Sequence, residues 1–165
     1  MSEVDLRSLS TGDLLRTYSS LIGELRKRGI VRSSNAPAGD YSEFLFCKAF
    51  GWERQTNSAA GFDATGPDGA RYQIKGRRLT SFNSSRELSV IRKLKERPFD
   101  FLGAVLFNED FSVARAAVIP IALVGSESKR SDHVNGWRFL LKDSIWDRPG
   151  VRDVTADIQS AAESL

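Results

Sequence analysis

An acid, an amide and a lysine stand close together in the middle of the chain as Asp63, Gln73 and Lys75. Carboxylate and carbonyl oxygens are the ligands that a hard cation such as Mg²⁺ prefers, beside the waters it retains. We expect Asp63 to supply the charge, Gln73 a neutral oxygen, and the Ile74 backbone carbonyl another. Lys75 would orient or help to deprotonate an attacking water and stabilise developing phosphate charge. This set suits metal-assisted phosphodiester hydrolysis; the alternative is the solvent-facing polar side of an amphipathic hairpin.

These residues share a surface only if the segments that carry them form a hairpin in the right register. Pro67-Asp68-Gly69 has the residue types of a three-residue loop built on a type I turn, with glycine at the left-handed position. Counting outward from this loop places Asp63 opposite Gln73, and strand alternation puts Lys75 on the same face. The opposite, core-facing side is then predicted to carry Phe62, Ala64, Tyr72 and Ile74.

A fourth candidate, Glu43, lies in YSEFLFCKAF, which is predicted to be a short helix. In a helix Glu43 shares a face with Cys47 on a segment that is apolar nearly all round, so its carboxylate is expected near the interior. Such a charge needs a partner, which a bound cation or Lys75 would provide. The alternative is a capping box formed by Asp40 and Glu43 at the start of the helix.

The rest of the chain predicts a single α/β domain, residues 1–165, with helices flanking a mixed central sheet. Apolar residues recur at helical spacing over residues 11–28. Residues 99–107 are nearly continuously apolar, which is typical of a strand buried on both faces at the centre of a sheet. Weaker patterns predict strands at 52–56, 111–119 and 137–141, and a C-terminal helix from Thr155.

Positive charge is concentrated between Arg71 and Arg97, although the whole chain carries a net charge of only +3. A capping-box sequence at Ser84-Ser85-Arg86-Glu87 and the stop before Pro98 predict a basic helix over residues 85–97. Such a stripe is typical of a polyanion binder, because neutralised phosphates release counterions; the alternative is a solvated helix face. The predicted phosphate contacts are Arg77, Arg78, Arg86, Arg92, Lys93 and Lys95. The Asn57-Ser58 pair could also approach a phosphate, although turn chemistry explains it equally well.

The chain has one cysteine, Cys47, which excludes an internal disulfide framework and the multi-cysteine zinc motifs. It has one histidine, His133, which excludes the paired-histidine zinc motifs. We expect Cys47 in the core and His133 in an exposed loop. The first residues lack a secretory-signal pattern, and no apolar run approaches the ~18 residues that would span a membrane. A cytoplasmic protein with no membrane partner is therefore expected.

Two segments of the chain together resemble the core of the PD-(D/E)xK nuclease superfamily, whose fold is restriction-endonuclease-like. They are GDYSEFLFCKAFGW and GFDATGPDGARYQIKGRR. Its members place a helix carrying a Glu before a hairpin with an Asp on one strand and an acid, a spacer and a Lys on the next. By position, Asp63 matches the first acid, Gln73 the second, Lys75 the lysine and Glu43 the helix acid. The resemblance covers residues 36–107 and implies an αβββαβ core in which the predicted basic helix is the second helix.

Two positions depart from that pattern. Phe62 rather than Pro precedes Asp63, which is a mild difference because the proline bears no ligand. Gln73 replaces the acidic ligand and removes one negative charge, which weakens the attraction for Mg²⁺. Some nuclease branches resemble this variant and use a helix Glu as the additional acid, so Glu43 becomes important to activity.

The resemblance implies a DNA endonuclease that depends on Mg²⁺ or Mn²⁺, with Asp63, Glu43, Gln73 and Ile74 as the metal site and Lys75 as the water-orienting group. Because cutting both strands needs two sites, a homodimer is expected. Restriction, defence and DNA repair fit by analogy. One alternative is a catalytically inactive module of the same fold that binds nucleic acid or protein, and another is an unrelated α/β protein whose basic stripe meets an acidic partner. RNA stays open as a substrate.

Overall fold

The computed structural model describes residues 5–56 and 61–165. Its helices are α1 (Thr11–Lys27), α2 (Ala38–Phe50), α3 (Ile121–Glu127) and α4 (Thr155–Glu163). Its strands are β1 (Glu53–Arg54), β2 (Ala64–Thr65), β3 (Arg71–Arg78), β4 (Phe101–Phe107), β5 (Val113–Pro120), β6 (Lys129–Ser131), β7 (Gly136–Arg138) and β8 (Arg152–Asp153). Among the described helices, none is both long enough and apolar enough to cross a bilayer.

Six strands form a mixed central sheet in the order β1-β2-β3-β4-β5-β8. β3 and β4 run parallel, whereas the other neighbouring pairs are antiparallel. The α/β class with a mixed sheet is therefore confirmed. β4 lies between β3 and β5 with buried side chains from Leu102 to Phe107, as its continuous apolar sequence predicts.

The core forms two layers, one on each face of this sheet. One layer contains side chains of α2 and α4, and the other contains side chains of α3 and of the segments 88–94 and 139–145. β4 contributes apolar side chains to both layers, because Val105 faces the first layer and Leu106 faces the second.

A close approach between two small residues sets the position of α2 on the sheet. A Cβ added to Gly76 in β3 would lie 1.8 Å from the Ser42 Oγ of α2. Ser42 is fully buried, and its hydroxyl donates a hydrogen bond of 2.6 Å to the Ala38 carbonyl, one turn earlier. The contact allows the helix backbone to lie directly on the strand, next to the candidate residues.

The predicted basic helix over residues 85–97 is wrong. That segment contains one short 3₁₀ turn, Leu94–Glu96, and Lys93 and Arg97 have left-handed φ values of +53° and +50°. Its backbone instead pairs with the chain after β7, since Leu88 N–H donates to the Phe139 carbonyl at 3.0 Å. Three buried residues of this segment recur at helical spacing, namely Leu88, Ile91 and Leu94. They nevertheless pack in the second core layer, where the hydrogen bonds to the chain after β7 hold the segment.

Other sequence predictions hold with changed boundaries or partners. α1, α4, β1 and β5 form within or next to the predicted ranges. The strand predicted at 137–141 is β7, which pairs with β6 in a separate two-stranded sheet.

The predicted facing of Phe62 is wrong. Phe62 packs with the second core layer, whereas Ala64, Tyr72 and Ile74 belong to the first. His133 is exposed, as expected, and Cys47 packs at the margin of the first layer.

Candidate active site

The hairpin that carries three of the candidate residues has the predicted register. Thr65 pairs with Arg71 and Ala64 with Tyr72, and the Gly66 N–H donates to the Ala70 carbonyl at 2.8 Å. Gly69 has a φ of +81°, the left-handed conformation that this loop position requires. Turn chemistry within a few residues is enough to fix this register.

Asp63 and Gln73 meet where the β2 pairing ends. Asp63 Oδ2 accepts hydrogen bonds from the side-chain Nε2 of Gln73 and, at 2.7 Å, from the backbone N–H of Ile74. In a strand, the N–H and C=O of one residue point toward the same neighbour. The Ile74 carbonyl is therefore directed toward the gap that the Asp63 carboxylate occupies.

Lys75 lies two residues beyond Gln73 in β3 and is partly buried. Strand alternation places it on the face of Gln73, opposite Tyr72 and Ile74. Its positive charge acts on Asp63 and lowers the pKa of that carboxyl, but burial is the larger effect and raises the pKa overall. The acid, amide and lysine are thus brought together by one hairpin.

Glu43 has partners that the sequence did not predict. Its carboxylate is 15% exposed and is paired with Arg54 Nε at 2.9 Å and with the guanidinium of Arg32. The capping-box alternative is wrong, because Asp40 Oδ2 accepts from the backbone N–H groups of Arg32 and Ser33 instead. No spacing in the sequence singles out either arginine, since the chain regions that carry them meet only in the folded protein.

α2, which carries Glu43, packs on the face of β3 that carries Ile74, whereas Lys75 alternates to the opposite face of the sheet. This arrangement explains why arginines, and not Lys75, neutralise Glu43. Burial raises the pKa of Glu43, and the negative charge of Asp63 raises it further, while Arg54 opposes both effects.

Cys47, one helical turn after Glu43, is a free cysteine. Burial raises the pKa of its thiol to about 11, so the sulfur stays protonated near neutral pH. A protonated thiol is a poor nucleophile and a poor metal ligand.

The residues predicted to form a cation site carry oxygen donors. In residues 5–56 and 61–165, no three His, Cys, Asp or Glu side chains converge on a common point. The candidate donors are instead two carboxylates, from Asp63 and Glu43, with the Gln73 amide oxygen and the Ile74 carbonyl. All four are oxygen donors, which Mg²⁺ and Mn²⁺ accept, whereas zinc sites usually contain nitrogen or sulfur.

Three of the predicted phosphate contacts are engaged within the protein. Arg78 Nε donates to the Glu109 carbonyl at 2.7 Å, and its guanidinium lies 4.4 Å from the ring centroid of Phe111. Arg86 forms an ion pair of 2.8 Å with Asp143. Arg77 donates to the backbone carbonyl of Ser85 at 3.1 Å.

The remaining three, Arg92, Lys93 and Lys95, are exposed. Considering only described residues, no carboxylate lies within the 4.0 Å of an ion pair with any of them. They belong to the irregular segment that connects β3 to β4, in which Lys95 Nζ lies 5.9 Å from the ring centroid of Trp137. The Asn57-Ser58 pair lies outside the described residues.

No protein-family model matches this chain, and no curated protein matches its sequence. The geometry of the hairpin and of α2 is therefore the basis for assigning a function.

Proposed function

We propose that this protein is a Mg²⁺- or Mn²⁺-dependent nuclease that hydrolyses phosphodiester bonds in DNA. The observation that carries the proposal is the juxtaposition of Asp63 and Gln73 across the hairpin, with Lys75 on the same face. A carboxylate, an amide and a lysine in this register match the order of groups expected from the sequence resemblance.

The proposed cation site uses Asp63, Glu43, the Gln73 amide oxygen and the Ile74 carbonyl. A bound cation would supply a Lewis acid for the phosphate and a water of lowered pKa. Asp63 and Glu43 provide the negative charge that attracts it, and partial burial strengthens that attraction relative to bulk water. The arginine partners of Glu43 compete for the same carboxylate, so cation affinity depends on that ion-pair network.

Lys75 is the proposed water-orienting group. Its ammonium can donate hydrogen bonds to a water or to a phosphate oxygen, and its charge offsets the charge that develops on the phosphate. A lysine is suited to this task because its donors rotate on a long side chain.

We further propose that the fold is a variant of the restriction-endonuclease-like arrangement. In its favour, α2 precedes β1, the β2–β3 hairpin and the parallel strand β4 in the expected order. The departure is the connection from β3 to β4, where an irregular segment replaces the expected second helix. The exposed cations of that segment, Arg92, Lys93 and Lys95, are the proposed phosphate contacts.

The decisive test compares plasmid cleavage by the wild type and by Lys75→Ala, with Mg²⁺, Mn²⁺ or chelator. We expect metal-dependent nicking or linearisation by the wild type and a loss of about 10²-fold or more in the variant, with DNA affinity retained. Lys48→Ala is the matched control, because among described residues Lys48 Nζ donates its one hydrogen bond to the Ser164 carbonyl, just after α4. Unchanged cleavage by Lys75→Ala rules out the assigned role.

A second function, nucleic-acid binding without catalysis, is favoured by one specific observation. Glu43 is neutralised by two arginines and Asp63 by two N–H donors, so both carboxylates are satisfied without a cation. This alternative predicts salt-dependent DNA binding that chelator does not change, and no cleavage with either metal. Titration with Mn²⁺ followed by its electron paramagnetic resonance signal distinguishes the two, since only the nuclease proposal requires a bound ion.

A further inference from the structure

Helix α1 carries a row of exposed apolar side chains. Leu14, Tyr18 and Leu21 are 39%, 54% and 59% exposed, and Leu25 continues the row at the next position. Their spacings of four, three and four residues alternate as the apolar positions of a heptad coiled-coil seam do. The seam is the set of these four residues.

The protein's own core covers little of this helix. Within the described residues, Ile22 is the one buried side chain of α1, and neighbouring Leu15 is 66% exposed. α1 is nevertheless fully formed, with a capping bond of 3.2 Å from the Asp13 N–H to Ser10 Oγ. A 17-residue helix draws most of its stability from packing of its apolar face, and monomeric proteins rarely leave such a row in water.

We propose that α1 pairs with α1 of a second copy of this chain in an antiparallel, two-fold symmetric dimer. A self-complementary surface is required for such an interface, and a seam of four apolar residues provides one. Antiparallel pairing sets Tyr18 against the partner's Leu21 and Leu14 against the partner's Leu25. Each seam side chain is then removed from water by another seam side chain.

Charge favours the antiparallel orientation. The last turn of α1 is basic, with Arg26 and Lys27, and Arg28 follows at the next seam position, whereas the first turn contains Asp13. Parallel pairing would bring these cations together with their copies and place the two Arg28 side chains face to face. Antiparallel pairing sets the basic end beside the partner's Asp13 and aligns the two helix dipoles favourably.

A neighbouring cavity extends the surface beyond the helix. It has a volume of about 960 Å³ and opens at the C-terminal end of α1, between Leu25, Val31, Tyr41 and Phe111. In the antiparallel arrangement, the partner's N-terminal 3₁₀ turn, with Leu6 at 52% exposure, reaches this end of α1. The extension matters because stable interfaces bury roughly 800 Å² per partner, and one helix seam is narrow.

The first test is sedimentation equilibrium of the metal-free and DNA-free protein over a range of concentrations. We expect a monomer–dimer equilibrium in the wild type and a dissociation constant raised at least about tenfold in Leu21→Lys, because the seam would then bury a charge. Phe82→Ser is the matched control, since Phe82 is 97% exposed but lies far along the chain from α1. A wild type that stays monomeric, or a Leu21→Lys variant that dimerises normally while retaining its circular dichroism spectrum, overturns the proposal.

The second test measures orientation. Gly12 lies on the side of α1 away from the seam, so its Cα would lie about 26 Å from its copy in the antiparallel dimer and about 13 Å from it in a parallel one, given the rise, radius and interaxial distance of the helices. Spin labels on Gly12→Cys in a Cys47→Ser background measure this separation. Any distance well beyond these values overturns pairing through α1, and the shorter distance overturns the antiparallel orientation. Neither experiment uses nuclease activity, so the dimer and the proposed function fail or stand separately.

Discussion

Gln73 donates its side-chain amide to Oδ2 of Asp63. This hydrogen bond stabilises the Asp63 carboxylate, whereas an acidic residue at position 73 would repel it. The amide therefore stabilises the hairpin, and at the proposed cation site it contributes one negative charge fewer than an acid would.

Gln73→Glu should destabilise the hairpin in the absence of a cation and increase the stabilisation that a cation provides. Two carboxylates would then face each other across the hairpin, so we expect a lower unfolding temperature in chelator and a larger rise on adding Mn²⁺ than in the wild type. Differential scanning calorimetry measures both. The matched control is Gln159→Glu, because Gln159 also donates its amide to an oxygen, the Val113 carbonyl, but in α4. An equal Mn²⁺ response in both variants contradicts a cation site at Asp63.

The pH dependence of stability should differ in sign between two aspartates. Burial raises the pKa of Asp63 above 3.8 in the folded chain, so the folded protein holds this proton more tightly. The stability that Asp63 contributes is therefore present below its ordinary pKa and is lost as the pH rises through the raised value. In chelator, Asp63→Asn should gain stability relative to the wild type between that ordinary pKa and neutrality, by at most about 1.4 kcal/mol per pH unit.

Asp100 supplies the opposite case. Its hydrogen bond from the Arg71 side chain is the largest effect and lowers the pKa of the carboxyl below 3.8. Its contribution is present above the ordinary pKa and is lost as the pH falls through the lowered one. Asp100→Asn should therefore lose more stability, relative to the wild type, at neutral pH than in acid. Urea denaturation over this pH range measures both variants, and parallel trends would contradict the assigned pKa directions.

Charge in the β3–β4 connection should set the salt dependence of DNA binding. Replacing Arg92, Lys93 and Lys95 with Gln should weaken binding and flatten the slope of log K against log salt by up to about 3, because each lost phosphate contact removes about 0.9. Arg86→Gln is the comparison, since the guanidinium is already paired with Asp143. Fluorescence anisotropy at several salt concentrations measures the slope. An unchanged slope in the triple variant would favour an acidic protein partner for this segment.

The packing of α2 on β3 should tolerate no side chain at position 76. Gly76→Ala places a Cβ against Ser42, and we expect a loss of about 2–3 kcal/mol in the free energy of unfolding. Ser42→Ala in the same chain should recover part of this loss, because it removes the Oγ that lies 1.8 Å away. Gly125→Ala in α3 is the control, since no heavy atom lies within 4 Å of its added Cβ. A double variant with simply additive losses would contradict the direct contact.

Local chemistry explains which parts of this protein were predictable. Turn residues between β2 and β3 determine the pairing of neighbouring strands, so the meeting of Asp63 and Gln73 follows from about ten residues of sequence. The continuous apolar run of β4 likewise predicts its central position. The helix predicted at residues 85–97 is wrong because the same apolar spacing is compatible with two structures. Leu88, Ile91 and Leu94 could line one face of a helix, but here they belong to an irregular segment that packs against the sheet.

The amino-acid sequence by itself determined the hairpin register and the α/β class, because turns and apolar patterns act between near neighbours. Only the tertiary structure decided that Arg32 and Arg54 neutralise Glu43, and that Arg86 binds Asp143. Such ion pairs join segments that are distant along the chain, and their partners are selected by the packing of helices on the sheet and not by spacing in the sequence.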